Sequence, residues 1–167
     1  TQGTLVTTTT TTTIVVSNAR LVYTENDPAT VVCANVTVWD NDILTDTHLD
    51  SATVWISTGL REGDVLAYPG SGGAITAAYT ASTGTLQMTG SVSVADWQTA
   101  LRIVTYSSSS EDPTGRQEAG DRIVSFVIHD GALTSSAVTG TMTVIPINDV
   151  PVLAGVETGS LAYTEND

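Results

Sequence analysis

The chain has no lysine and only one cysteine, and these two absences already exclude several classes of protein. All five basic residues are arginine, against 18 acidic residues, which gives a formal net charge of −13. Nucleic acids and anionic membranes both require a cationic surface, so neither is expected as a partner. The lone Cys33 cannot build a disulfide framework, and with two distant histidines it cannot complete a zinc site.

Long apolar runs are also missing. No stretch of about 20 apolar residues is present, so the chain is expected neither to insert into a membrane nor to carry its own targeting signal. At 167 residues it can bury a proper core without covalent staples. An acidic, Thr-rich composition with almost no cysteine is typical of exported prokaryotic surface proteins. We therefore predict an extracellular protein, attached to the cell surface or filamentous.

One seven-residue string, Leu-x-Tyr-Thr-Glu-Asn-Asp, occurs at residues 21–27 and again at residues 161–167, 140 positions later. Solenoid repeats have periods of roughly 20–50 residues, so this offset suits a whole globular module in a tandem array. The segment 146–153 carries two prolines and is predicted to be an extended linker. The predicted parts are a Thr-rich N-terminal strand or linker over 1–20, a β-sandwich domain over 21–150 and the start of the next repeat over 151–167.

Polar and apolar residues alternate from about Leu21 to Val144, and turn residues recur about every ten positions. This pattern favours an all-β sandwich. Shorter strands are expected at 65–68, 74–79 and 86–89. In the four clearest strands the predicted inward residues are Val32, Ala34, Val36 and Val38; Ala52, Val54 and Ile56; Val124, Phe126 and Ile128; and Val138, Met142 and Val144.

Two segments depart from this alternation. Ser93 followed by Asp96 has the form of a helix N-cap, and the apolar residues after it recur at helical spacing, so a short helix with Trp97 in the core is predicted to cover one edge of the sandwich. The unbroken threonines Thr7 to Thr13 favour extended chain. That segment is either a strand, a flexible linker, or an edge strand added to a neighbouring molecule.

Three groups of oxygen-bearing side chains follow predicted strands. They are Asp40 with Asp42, then Asp130, and then Asn148 with Asp149 in the linker. Carboxylates gathered without a basic partner repel one another, and Ca²⁺ prefers six to eight such oxygen ligands. A calcium site is therefore predicted. No nucleophile is spaced to pair with a base, and paired carboxylates in such turns are more often metal ligands than glycosidase groups, so we do not expect an enzyme.

Five segments of the chain follow one another in a recognisable order. They are Thr24 to Pro28, the pair Asp40 and Asp42, Val94 to Tyr106, Phe126 to Gly131, and Asn148 to Leu153. Together these segments resemble the cadherin-like tandem repeats of large bacterial surface adhesins. The resemblance implies an Ig/cadherin-like Greek-key β-sandwich, with calcium ions at the junctions between consecutive domains. By this resemblance Asp40, Asp42 and Asp130 are ligands at the upper end of the module, and Glu25, Asn148 and Asp149 are ligands at the lower end.

The function predicted from these observations is that of a non-enzymatic, calcium-stabilised structural repeat of an extracellular adhesin or fibre. Its partners would be neighbouring repeats or identical subunits. One alternative is a filament subunit that polymerises by strand exchange, through the Thr-rich N-terminus or the segment 151–167. A second alternative is a module that binds surface glycans, which would require Trp39, Trp55 and Tyr79 to line one face.

Overall fold

The computed structural model of the chain describes residues 12–16, 21–40, 48–115, 118–155, 159 and 165. The expected start of the next repeat lies mostly outside the described residues, as do most of the Thr run and Asp42. In chain order the elements are β1 (Thr12–Val15), β2 (Leu21–Thr24), β3 (Thr30–Val31), β4 (Thr37–Asp40), β5 (His48–Thr58), β6 (Asp64–Ala67), β7 (Thr76–Thr80), β8 (Thr85–Ser93), α1 (Val94–Arg102), β9 (Thr105–Ser108), β10 (Gly120–His129) and β11 (Val138–Ile145).

The strands form three sheets. The largest has the order β2-β11-β10-β5-β8-β7, and the others are β3-β9-β6 and β1-β4. Neighbouring strands are antiparallel except β2 and β11, which run parallel from the pair Leu21 and Met142 to the pair Thr24 and Ile145. The protein is therefore an all-β sandwich with one short helix, as the sequence predicts, while the Greek-key connectivity stays a prediction.

One hydrophobic core lies between the sheets and draws side chains from each of them, including Ile14, Tyr106 and Phe126. Alternation predicted its largest part correctly, because successive side chains of a strand point to opposite faces. Val138 is half-buried at the start of β11. The other predicted inward residues of β5, β10 and β11 are all buried, namely Ala52, Val54, Ile56, Val124, Phe126, Ile128, Met142 and Val144.

The single strand predicted over residues 32–38 is wrong. A turn at Ala34 and Asn35 separates β3 from β4, and the two strands belong to different sheets. Ala34 is exposed, whereas Cys33 and Val36 are buried on either side of the turn. A run of β-branched residues favours extended chain but does not specify which sheet the chain joins.

The end of the Thr run forms β1, which pairs antiparallel with β4. Ile14 is buried in the core, and the hydroxyl of Thr12 donates a hydrogen bond to Asp130 Oδ2 at 3.2 Å. Part of the predicted N-terminal segment therefore packs as a strand of this sandwich.

The predicted helix is confirmed as α1. The Ser93 side chain caps it by accepting a hydrogen bond from the Asp96 amide. The helix also supplies partners to the edge of β4, since Gln98 Oε1 accepts from the Val38 amide at 3.2 Å and Arg102 Nε donates to the Val36 carbonyl at 2.8 Å. These contacts cover an edge that would otherwise expose unpaired backbone groups. At nine residues α1 is short, and no helix among the described residues is long and apolar enough to cross a membrane.

Trp97 is completely buried, and its Nε1 donates a hydrogen bond of 2.6 Å to the Leu49 carbonyl. Replacing Trp97 with Phe should destabilise the fold by about 2–3 kcal/mol, because it leaves the carbonyl unpaired and a void beside it. Urea unfolding followed by circular dichroism measures this change. Trp55→Phe, at a half-buried position of β5, is the matched control and should change the stability much less. Equal losses for the two variants would contradict the assigned role of Trp97.

Candidate metal centre

Three strands finish at the same end of the sandwich and carry acidic residues just beyond their last residues. These strands are β2, β9 and β11, and we call this the lower end. Glu25 directly follows β2, while Glu111 and Asp149 lie a few residues after β9 and β11. One carboxylate oxygen from each of the three lies within 4.8 Å of the others. We call these three residues the acidic cluster.

Glu25 is held by the parallel pairing of β2 with β11. Its amide donates to the Ile145 carbonyl at 2.8 Å and so continues the ladder by one residue. Its side chain contacts the linker, where Oε2 accepts a hydrogen bond of 2.8 Å from the Ile147 amide. Asn26 adopts a left-handed conformation with φ of 67°, and the turn closes where Asp27 Oδ2 accepts from the Thr24 amide. The turn thus directs the buried side chain of Glu25 toward the linker.

The structure brings together two of the three residues assigned to the lower end by resemblance. Glu25 and Asp149 share the acidic cluster. Asn148 is exposed and lies in the chain between Ile147, which bonds to Glu25, and Asp149. Asn148 is therefore adjacent in the chain to one member of the cluster, and its side-chain amide offers an oxygen of the type that Ca²⁺ accepts.

Glu111 is not among the predicted ligands, because the sequence favours a solvated surface loop at this position over a further weak ion site. It lies in the loop between β9 and β10, and that loop bends sharply after it, because the Gly115 amide donates to Asp112 Oδ1 at 2.8 Å. Pro113 and Thr114 are buried, so the loop packs onto the body of the protein. The sequence signal for this arrangement is the run Glu111-Asp112-Pro113-Thr114-Gly115, an acid followed by a turn.

Glu25 differs from the other two acids of the acidic cluster because it is buried. Glu25 is only 2% exposed, and its Oε1 atom has no hydrogen-bond partner. Glu111 and Asp149 are exposed, and within the described part of the chain neither contacts an arginine or a histidine. A buried polar atom without a partner is costly, and a carboxylate more so. A divalent cation would satisfy this oxygen and also neutralise the repulsion among the three groups.

A buried ion pair is bonded to the loop that carries Glu111. Arg122 Nε and Nη2 donate to the two carboxylate oxygens of Asp64 at 2.6 and 3.2 Å, and both residues are almost fully buried. Arg122 Nη2 also donates to the Pro113 carbonyl at 2.6 Å. Asp64 further accepts from the Tyr106 hydroxyl at 2.6 Å and from the Arg61 amide at 2.8 Å. Both carboxylate oxygens of Asp64 therefore accept two hydrogen bonds each, and Nε and Nη2 of Arg122 are both used as donors.

Arg122 and Asp64 were not singled out from the sequence, although a signal exists. Arg122 has the same alternation phase as Val124 and Phe126, which places it on the inward face of β10. An arginine at an inward position needs a buried acid, and Asp64 is the inward first residue of β6.

Two tyrosines that contact Asp64, Tyr79 and Tyr106, have raised pKa values. Burial raises the pKa of Tyr106 far above its usual value, and its hydrogen bond to Asp64 and the carboxylate charge raise it further. Burial and then the charge of Asp64 also raise the pKa of Tyr79, whose hydroxyl donates to the Asp64 carbonyl at 2.7 Å. Both shifts favour the protonated phenol, which is the form that donates these hydrogen bonds.

The predicted upper-end ligands are arranged differently. Asp40 is buried at the end of β4, opposite Thr12 in register, and Thr12 bonds to Asp130. The Asp130 carboxylate already accepts from the amides of Ala132 and Leu133 at 2.8 and 2.7 Å, so it holds the loop after β10. Among described residues Asp40 and Asp130 belong to no group of three acidic, histidine or cysteine ligands. Asp42 lies outside the described residues.

The aromatic residues of the glycan-binding alternative do not share a face. Trp55 follows Val54 in β5, so the two point to opposite sides of the sheet. Val54 is opposite Leu86 in register, and Leu86 is opposite Tyr79, which packs against the core. Trp55 therefore lies on the outer side of the largest sheet and Tyr79 on the core side. Trp39 is 67% exposed on the separate β1-β4 sheet.

Comparisons with known proteins matched no family model, no curated protein and no solved structure.

The hydrogen bonds to Asp130 should make stability depend on acid pH. Burial raises the Asp130 pKa, but the amides of Leu133 and Ala132, the Thr12 hydroxyl and the nearby His129 together bring it below its ordinary value of 3.8. A lowered pKa in the folded state means that the stabilisation is complete above the unfolded-state pKa, about 3.9, and is lost as the pH falls through the folded-state pKa.

Asp130→Asn should remove this contribution, since the amide does not titrate. Urea unfolding between about pH 5 and pH 2.5 should therefore give a shallower loss of stability for the variant than for the wild type. Parallel curves for the two proteins would show that Asp130 has no such role.

Proposed function

We propose that the chain is a non-enzymatic structural module of an extracellular adhesin or fibre, and that a calcium ion at its lower end stiffens the exit of the linker. The proposal is carried by the meeting of Glu25, Glu111 and Asp149 within 4.8 Å of one another, together with the burial of Glu25, one of whose carboxylate oxygens has no hydrogen-bond partner. Three carboxylates, backbone carbonyls and water together supply the oxygen ligands that Ca²⁺ takes.

The choice of a hard divalent cation follows from the ligands. All three residues offer oxygen, and the described part of the cluster contains neither a histidine nor a cysteine. Oxygen-only sites of this kind suit Ca²⁺ or Mg²⁺ rather than softer transition metals. Three carboxylates that come from separate segments, a turn, a loop and a linker, fit the variable geometry of Ca²⁺ coordination better than the near-ideal octahedron that Mg²⁺ demands.

The position of the acidic cluster supports a mechanical role. Glu25 belongs to the body of the module, whereas Asp149 belongs to the linker that leaves it. The Ile147 amide already ties the linker to Glu25, and a cation shared with Asp149 would extend this attachment by two residues. The linker beyond it is apolar and exposed, with Val150, Val152 and Leu153 all more than 80% exposed, which fits a segment that packs against a following module.

Calcium should stabilise the folded protein. A ligand at a hundredfold excess over its Kd contributes about 2.7 kcal/mol, which for a protein of this size corresponds to a rise in Tm of about 5–10 °C. This rise is measured as the difference between the Tm in chelator and the Tm in millimolar calcium, with thermal melting followed by circular dichroism. An unchanged Tm would refute the calcium site.

Glu25→Gln should have opposite effects in the two conditions. Without calcium the variant should be more stable than the wild type by about 1 kcal/mol or more, because it removes a buried charge that has no partner while keeping an acceptor for Ile147. With calcium it should lose most of the ion's stabilisation. Glu111→Gln should weaken calcium binding, whereas Glu118→Gln, an exposed acid in the same loop and outside the cluster, is the matched control and should not.

The mechanical role makes a separate prediction for two modules joined in series through the native linker. Asp149→Ala should widen the range of angles between them while leaving the Tm in chelator unchanged, because the linker ligand touches two modules and the core stays whole. Small-angle scattering in calcium measures the spread. A profile identical to that of the wild type would count against a junction role even if the calcium site itself is present.

A further inference from the structure

We infer that Arg122 positions Glu111 for cation binding, so that the buried ion pair with Asp64 sets the affinity of the acidic cluster. The inference rests on the proposed cation site and adds to it a residue that does not touch the cation. Arg122 would in this way fix Glu111, which is exposed on the loop between β9 and β10.

The guanidinium of Arg122 divides its hydrogen bonds between the ion pair and the loop. Two go to the carboxylate of Asp64, and the third goes to the Pro113 carbonyl at 2.6 Å. Pro113 lies two residues after Glu111. Since Asp64 begins β6 and Arg122 lies in β10, this one side chain ties the loop to strands of two different sheets.

The other contacts of the loop are weaker or local. Its first residue is fixed by the Ser109 amide, which donates to the Gly63 carbonyl at 3.1 Å. Beyond that, Ser110 and Asp112 accept hydrogen bonds from amides two and three residues further along, which shape the turn without attaching it to the body. Among the described contacts of residues 110–115, the bond from Arg122 is the charged and buried one. Charge-assisted hydrogen bonds are about twice as strong as neutral ones.

The same pair also supports the segment that carries Glu25. Tyr106, which donates to Asp64, packs edge-on against Tyr23 with ring centroids 5.0 Å apart and planes at 87°. The Tyr23 hydroxyl accepts from the Ser108 amide at 3.2 Å, at the last residue of β9. Tyr23 lies two residues before Glu25. Two of the three ligands therefore lie two residues from an anchor: Glu111 from the Pro113 carbonyl that Arg122 binds, and Glu25 from the Tyr23 ring that packs on Tyr106.

Arg122→Lys tests the inference, because lysine keeps the charge for Asp64 but lacks the planar fork that reaches two partners at once. Isothermal titration with calcium chloride should give a Kd about tenfold weaker than that of the wild type, a coupling of about 1.4 kcal/mol, which is within the range seen for residues in one network. The matched control is Arg102→Lys. Arg102 also donates to a backbone carbonyl, that of Val36. Its bond joins α1 to the segment before β4 and not to the loop of Glu111, so the calcium Kd of the Arg102→Lys variant should equal that of the wild type.

A double variant separates positioning from general loosening of the fold. If Arg122 acts through Glu111, then Arg122→Lys should weaken calcium binding much less in a Glu111→Gln background. Equal effects in both backgrounds would overturn the inference. An unchanged Kd for Arg122→Lys, beside a weakened Kd for Glu111→Gln, would also overturn it while leaving the proposed function intact. A wild type that does not bind calcium would overturn both.

A second variant covers the case in which Arg122→Lys does not fold. Asp64→Asn combined with Arg122→Met removes both charges, which avoids a stranded ion and is often tolerated, yet it still deletes the donor to Pro113. Circular dichroism in chelator establishes that the variant is folded. Its calcium Kd should again be about tenfold weaker, and a Kd equal to that of the wild type would overturn the role of Arg122.

Discussion

The buried ion pair between Arg122 and Asp64 is the constraint on which the lower end of the molecule depends. Removing one partner of such a pair leaves an uncompensated charge in the core, at a cost of about 3–5 kcal/mol. Their shared bonds to Tyr106, Arg61 and Pro113 offset the desolvation of both charges. A pair of apolar residues could fill the same space, but it would not attach a polar loop. The arrangement therefore exchanges some stability for a defined geometry at the surface.

Acidic groups occur in this protein in two distinct settings. At the upper end Asp130 has its carboxylate satisfied by neighbouring amides and a hydroxyl, so it stabilises a loop without needing an ion. At the lower end Glu25 is buried with one oxygen unpaired, beside two other acids. Both look alike in the sequence, as an acid after a strand. What separates them is whether the backbone nearby supplies enough donors, and that depends on the turn that each chain segment makes.

Alternation of side chains was enough to predict β5, β10 and β11, and an N-cap followed by helical spacing was enough to predict α1, because the burial of all four elements follows from local periodicity. It failed at residues 32–38, where a turn moves the chain from one sheet to another without any glycine or proline to mark it. The meeting of Glu25 with Asp149 was expected only through the family resemblance. Glu111 was missed because its position depends on Arg122 and Asp64, which are 58 residues apart in the chain, and pairings at that distance leave no periodic signal.

The parallel pairing of β2 with β11 has a consequence for the behaviour of the protein under tension. Thr12 begins β1 beside Asp40 and Asp130, while the chain leaves β11 at the opposite end, so a pull on the two ends acts along the strands. The ladder between β1 and β4 would meet this load first, and the parallel ladder between β2 and β11 also lies along the pull, so its bonds would be loaded in shear instead of being peeled apart one at a time. A cation bound by Glu25 and Asp149 would lie at the end of this ladder where the load enters, and it would close that end against peeling.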